Sequence, residues 1–186
     1  GIVPLQGHLL PGDTAYHDIS VGGPLARSAG DLKLALDILA GPTGDLEKAW
    51  QFQLPPPRKN NLGEFKVGVL MESPVCAQDE QLTEQLLDTV AALEKAGVQT
   101  DYTADPGFDW HRYWEVYLLL LRATTSASYS DEEFEFHRQS AATRKSDDTR
   151  YRAYLDRGIT IRHRDWWALH DEREQMCLRW RAYFED

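Results

Sequence analysis

Cysteine is nearly absent from this chain: Cys76 and Cys177 are the only two in 186 residues, and neither sits at a metal-site or redox spacing. Two cysteines in a chain of this length build no disulfide framework, and a reducing cytosol is the expected compartment. No signal-peptide pattern is present, and no apolar run approaches the roughly 18 residues that a membrane helix needs. The block from Leu118 to Leu121 is short and bracketed by Glu115 and Arg122. Positive charge is also in deficit, with 20 Lys and Arg against 30 Asp and Glu, a formal net charge of −10. Nucleic acid and anionic membrane surfaces are therefore not expected as partners. The one basic-looking region, residues 138–164, is interleaved with Asp147, Asp148 and Asp156 and reads as a solvated face. A Gly-x-Gly-x-x-Gly phosphate cradle, a Gly-x-Ser-x-Gly elbow and a His-Glu-x-x-His helix are all missing.

What is present begins with Val21-Gly22-Gly23-Pro24-Leu25-Ala26-Arg27-Ser28 and the helix it launches. Gly22 and Gly23 permit backbone angles or close approaches that a side chain forbids, and Pro24 steers Gly23 away from the helical region. Ser28 followed by Asp31 is a Ser-x-x-acid capping pattern. Leu32, Leu36 and Leu39 then recur at helical spacing until Gly41-Pro42 ends the run, so a helix is expected from Ala29 to about Ala40. Local physics does not explain why Arg27 stands immediately before the cap.

The chain length suits one domain and also permits two lobes. Residues 1–64 hold an irregular start, the turn, the helix and a connection carrying Pro55-Pro56-Pro57, a stiff spacer. Residues 65–104 read as a βαβ unit: a strand at 65–71, a helix at 81–96 capped by Asp79 and stopped by Gly97, and a strand at 98–103. Its first turn, Glu72-Ser73-Pro74, lacks glycine, so no nucleotide site is expected there. Residues 105–186 are helical. Trp110, Tyr113, Trp114, Tyr117, Leu118 and Leu121 form an apolar stripe on a helix running to about Ala127. Further helices are expected at 131–141, at 147–156 with Gly158 as the stop, and at 165–184, where Trp166, Leu169, Arg173, Met176, Trp180 and Phe184 recur at steps of three and four. The last stripe is expected to pack against a core or a partner.

Chemistry-bearing patterns are scarce. His8 and His17 flank a polar loop without a second ligand at useful spacing. His163, His170 and Glu174 share a helix face, but only His170 and Glu174 stand four apart, which suits surface pairing better than a metal. No metal or cofactor is expected, and no carboxylate pair stands out as an acid/base couple. The residues alone support an α/β chain and no reaction.

The opening segment Gly1-Ile2-Val3-Pro4-Leu5, the block from Asp18 through Gly22-Gly23-Pro24-Leu25-Ala26-Arg27-Ser28, and the run from Asp31 to Pro42 together resemble the amidase signature family just downstream of its nucleophile. The order of later features is similar too: a Pro-rich connection, a strand like 66–71, a helix ending Leu93-Glu94-Lys95-Ala96-Gly97, a variable helical region and a Trp- and Arg-bearing helix like 166–184. The likeness is strongest over 1–42, weaker over 65–104 and weakest over 105–186.

The resemblance implies part of a mixed-sheet α/β fold and a hydrolase that cleaves amide bonds with a Ser, cis-Ser, Lys triad. In the family those residues precede the position matching Gly1, so none is carried onto this sequence, and Ser20, Ser28 and Lys33 do not replace them. No catalytic residue is therefore expected within this sequence, and the chain by itself is expected to be inactive. The implied contributions are indirect: Arg27 and Ser28 as supports near the active-site end of the core, and Trp114 and Tyr117 in a helical wall or cap of the substrate pocket. The expected partners are the remainder of the amidase fold, or other copies of the chain through exposed edges, and a small-molecule amide in the intact parent. A chain opening without Met and stopping inside a running helical pattern reads as a segment of a longer product. The alternative is a self-standing, non-catalytic binding domain derived from an amidase.

Overall fold

The computed structural model describes residues 2–6 and 19–185, so the loop carrying His8, His17 and Asp18 lies outside the described residues. The chain divides into two compact units, residues 1–58 and 59–186. No helix among the described residues is long and apolar enough to cross a membrane.

In the first unit, helix α1 spans Ala29–Leu39. Ser28 caps it as its spacing predicts, its hydroxyl accepting the Asp31 N–H at 3.1 Å. Gly41 N–H donates to the Ile2 carbonyl, tying the helix exit back to the start of the described chain. The two glycines of the turn serve less than expected. A side chain at Gly22 would crowd Leu5 at 3.3 Å, but one at Gly23 would meet nothing. Neither takes a positive φ. No residue of α1 is buried, and Ile38 keeps 73% of its surface exposed.

The second unit opens with β1, Lys66–Gly68, followed by α2, Glu80–Lys95, and β2, Gln99–Asp101. The two strands pair in parallel, Val67 opposite Thr100, which is the βαβ connection the sequence predicts. Both strands are shorter than the runs at 65–71 and 98–103, and among the described residues no third strand pairs with them. Asp79 caps α2 through the Leu82 N–H, and Gly97, at φ 91°, makes the left-handed exit that a side chain disfavours. Glu94 then accepts from the Thr100 and Tyr102 hydroxyls, fastening α2 to its strand.

Four helices complete the unit: α3 at Trp110–Thr125, α4 at Asp131–Thr143, α5 at Tyr151–Ile159 and α6 at His163–Tyr183. Asp109 caps α3, and Ser130 with Glu133 forms a reciprocal capping box on α4. The core gathers Val116, Leu118, Leu119 and Leu120 of α3 with Tyr154 of α5 and Leu169 of α6, and Ile161, Trp166 and Met176 pack against it. The stripe expected on α3 is thus only partly the buried face: Leu118 is inside, whereas Trp114 and Tyr117 are exposed. With apolar residues almost all round the middle of α3, periodicity alone does not select the inner face; the packing partner does.

That partner is α5, and here two expectations are corrected. The helix begins at Tyr151, not 147, because Asp148 accepts the Arg150 N–H and holds the preceding residues in a turn. Gly158 is not a helix stop; it lies buried inside α5, where an added Cβ would sit 2.6 Å from Arg122 Cβ and 2.9 Å from the Leu119 carbonyl oxygen. Only hydrogen at that position lets α5 close on α3. We therefore expect Gly158→Ala to lower unfolding free energy by about 1–3 kcal/mol through overpacking. Gly30→Ala, in α1, where an added Cβ would make only an ordinary contact of 3.8 Å with the Ser28 hydroxyl, should raise it by up to about 1 kcal/mol through helix propensity. Urea denaturation followed by circular dichroism reads both, and equal effects would contradict the close-approach account.

Candidate functional site

The most developed polar arrangement of the second unit surrounds Asp156, whose side chain is fully buried on α5. Residues of α4 reach it because His137 and Ser140 stand three apart on one helix face and Arg144 follows at the helix end. His137 Nδ1 lies 2.7 Å from Asp156 Oδ1. Ser140 Oγ donates to Oδ2 at 2.6 Å, and Arg144 Nε donates to the same oxygen at 2.6 Å. An Arg144 terminal nitrogen also lies 3.5 Å from Asp148, which Arg150 grips in turn. Burial by itself raises the Asp156 pKa, but the bonds from Ser140, His137 and Arg144 outweigh it, so the group is held below the ordinary aspartate value. An ionised Asp156 places the His137 proton on Nδ1. Phe136 and Tyr129 flank the imidazole at 5.4 and 5.6 Å.

Serine, histidine and aspartate together invite comparison with an acyl-transfer triad, and the connectivity answers it. In a triad the histidine stands between serine and carboxylate and takes the serine proton. Here the carboxylate is central and accepts from both, so Ser140 spends its proton on Asp156 and His137 has no hold on the serine. The arrangement fixes α4 to α5 without activating a nucleophile. Composition hides it: residues 138–164 read as a solvated face with Asp156 among its acids, yet Asp156 is completely inside. The available signal was the single helical face shared by His137, Ser140 and Arg144.

The residues expected at a site fall into two groups. Arg27 and Ser28 belong to the first unit. Ser28 is occupied as the cap of α1, and Arg27 is exposed and makes no hydrogen bond or ion pair with a described residue. Trp114 and Tyr117 belong to the second unit and are brought together on the outward side of α3, their rings stacked at 5.5 Å and 28°. Further along, Trp166 stacks between His163 and His170, at 6.3 and 5.1 Å, while His170 Nδ1 engages Arg173. These two imidazoles are thereby separated by an indole. Among the described residues no group of three or more His, Cys, Asp and Glu is placed to hold a metal.

A parallel βαβ pair joined to a packed set of helices, with a buried carboxylate as its polar anchor, defines a mixed α/β chain that is mostly helical. The amidase family model matches residues 1–182, and the chain belongs to the amidase family. Neither the curated proteins nor the solved structures compared with it gave a significant match.

The network makes a pH-dependent forecast. Because the folded-state pKa of Asp156 is depressed, its stabilisation is present above the ordinary aspartate range, near 3.9, and is lost as pH falls through the lower folded value. Asp156→Asn should cost about 3 kcal/mol at pH 7 by leaving Arg144 without its buried carboxylate. The gap from the parent chain should shrink toward pH 2 in urea titrations. A gap independent of pH would contradict the ionised assignment.

Proposed function

We propose that this chain supplies the frame and part of the pocket wall of an amide hydrolase, and that the reacting groups come from outside these residues. The family match over residues 1–182 carries the reading. The chemistry it implies is attack by a serine on the amide carbonyl, with a lysine drawing the proton off through a cis-serine and backbone N–H groups stabilising the oxyanion. The local bonding of the candidate nucleophiles supports assigning that triad elsewhere. Ser28 is committed to capping, Ser140 to a carboxylate, and Lys33 pairs with Asp37 at 2.6 Å on an exposed helix surface. None of them has a base in position.

On this reading Arg27 and Ser28 brace the turn that leads into α1, and the stacked Trp114 and Tyr117 offer an aromatic surface to an amide substrate. The exposed apolar side chains of α1 and α2, two helices without a buried residue, are then covered by the remainder of the amidase fold or by another copy of the chain.

The test is ammonia release from benzamide. The chain alone should release none above buffer, and addition of a complementary polypeptide bearing the family's Ser, cis-Ser and Lys residues should restore hydrolysis. Turnover by the chain alone that disappears on Ser28→Ala or Ser140→Ala would overturn the proposal, as would failure of every complementary piece.

A further inference from the structure

Helices α3, α4, α5 and α6 converge on an open groove of about 910 Å³ within the second unit. Its size falls in the range of roughly 300–1,000 Å³ that small-molecule sites occupy. The Asp156 network holds α4 beside α5 but does not line this groove, and neither Trp114 nor Tyr117 reaches it. The floor is apolar: Leu119 and Leu169, both nearly buried, with Ile161 beside them. Ala141, Ala142 and Ala168 leave the space open because their side chains end at Cβ. An apolar body thus finds surface to cover, and the Thr160 hydroxyl beside it is already committed to the Asp156 carbonyl at 2.8 Å.

Charge at the rim selects the rest of the ligand. Arg112 donates to both carboxylate oxygens of Glu172, at 2.8 and 2.6 Å, and also to Glu115, so its guanidinium is fully engaged. Arg162 is bound to Asp165 at 2.5 Å. Arg157 differs. One of its terminal nitrogens donates to the Lys145 carbonyl at 2.7 Å, and its guanidinium lies 6.0 Å from the centre of the Tyr154 ring. Both contacts anchor the group without neutralising it, and no carboxylate among the described residues pairs with it. The groove therefore presents one uncompensated, pre-positioned guanidinium beside an apolar floor. A planar monoanion matches that fork. A dianion would face a single open cation and the carboxylates of Asp165 and Glu172.

We propose that this groove binds a small amphipathic carboxylic acid, its apolar body on the Leu119 and Leu169 floor and its carboxylate at Arg157. The inference stands on the second unit alone and does not depend on amide hydrolysis.

Isothermal titration of the full chain at pH 7 with 4-phenylbutyrate, 4-phenylbutanamide and phenyl phosphate tests it. The acid should bind about tenfold or more tightly than the isosteric amide. Arg157→Gln should weaken the acid about tenfold and leave the amide unchanged, since Arg157 is at the rim and outside the core. Ala168→Trp, which fills the groove, should abolish binding of both, with thermal melting used to establish that the variant is folded. Four results overturn the proposal: no heat from the acid up to about 10 mM; equal affinity for acid and amide; tighter binding of phenyl phosphate than of the acid; or unaltered acid binding in Arg157→Gln.

Discussion

Burial of the Asp156 carboxylate is the constraint around which the helical part of the second unit is arranged. A lone carboxylate taken out of water is strongly disfavoured, so the position is tolerable only if donors arrive from neighbouring elements. They do: an imidazole, a hydroxyl and a guanidinium from α4 and its exit all converge on it. Two residues on, Gly158 removes the side chain that would hold α5 away from Leu119 and Arg122 of α3. Polar bonds thus join α5 to α4, and the missing side chain lets α5 join α3. The groove bounded by α3, α4, α5 and α6 is a product of that double attachment.

Away from this centre the burial thins. Neither α1 nor α2 buries a residue, and the sheet consists of two three-residue strands. Local chemistry accounts for these elements: Ser28 and Asp79 cap them, Gly97 ends α2, and Glu94 ties its last turn to β2. Such caps define where a helix starts and stops, and contribute about 1 kcal/mol each. Apolar burial is the larger stabilising force, and in this chain it is concentrated in α3, α5 and α6. Under the proposed function, those sparsely packed faces are the ones that further protein would cover.

The division between what could be read from the residues and what could not follows the range of the forces. Helix starts at Ser28 and Asp79, the parallel βαβ unit and the long last helix were legible because capping and periodicity act within a few residues. The inner face of α3 was not, since Leu118, Leu119, Leu120 and Leu121 are equally apolar and only the approach of α5 distinguishes them. Gly158 read as a stop because glycine near a helix end usually is one, whereas its role here depends on a backbone 39 residues earlier in the chain. Asp156 read as a surface acid because a buried ionic cluster and a solvated charged face have the same composition. Trp114 and Tyr117 were legible as members of one helical stripe on α3, while His137, Ser140 and Arg144 gained meaning only once α5 was placed beside α4.

Amide hydrogen exchange tests most directly the claim that burial in this chain is concentrated in the helices of the second unit around α5. The account predicts the slowest exchange at Leu118, Leu119 and Leu120 of α3 and from Ala153 to Ile159 of α5, with α1 and α2 exchanging orders of magnitude faster. Protection of α1 and α2 equal to that of α3 and α5 in the isolated chain would contradict it.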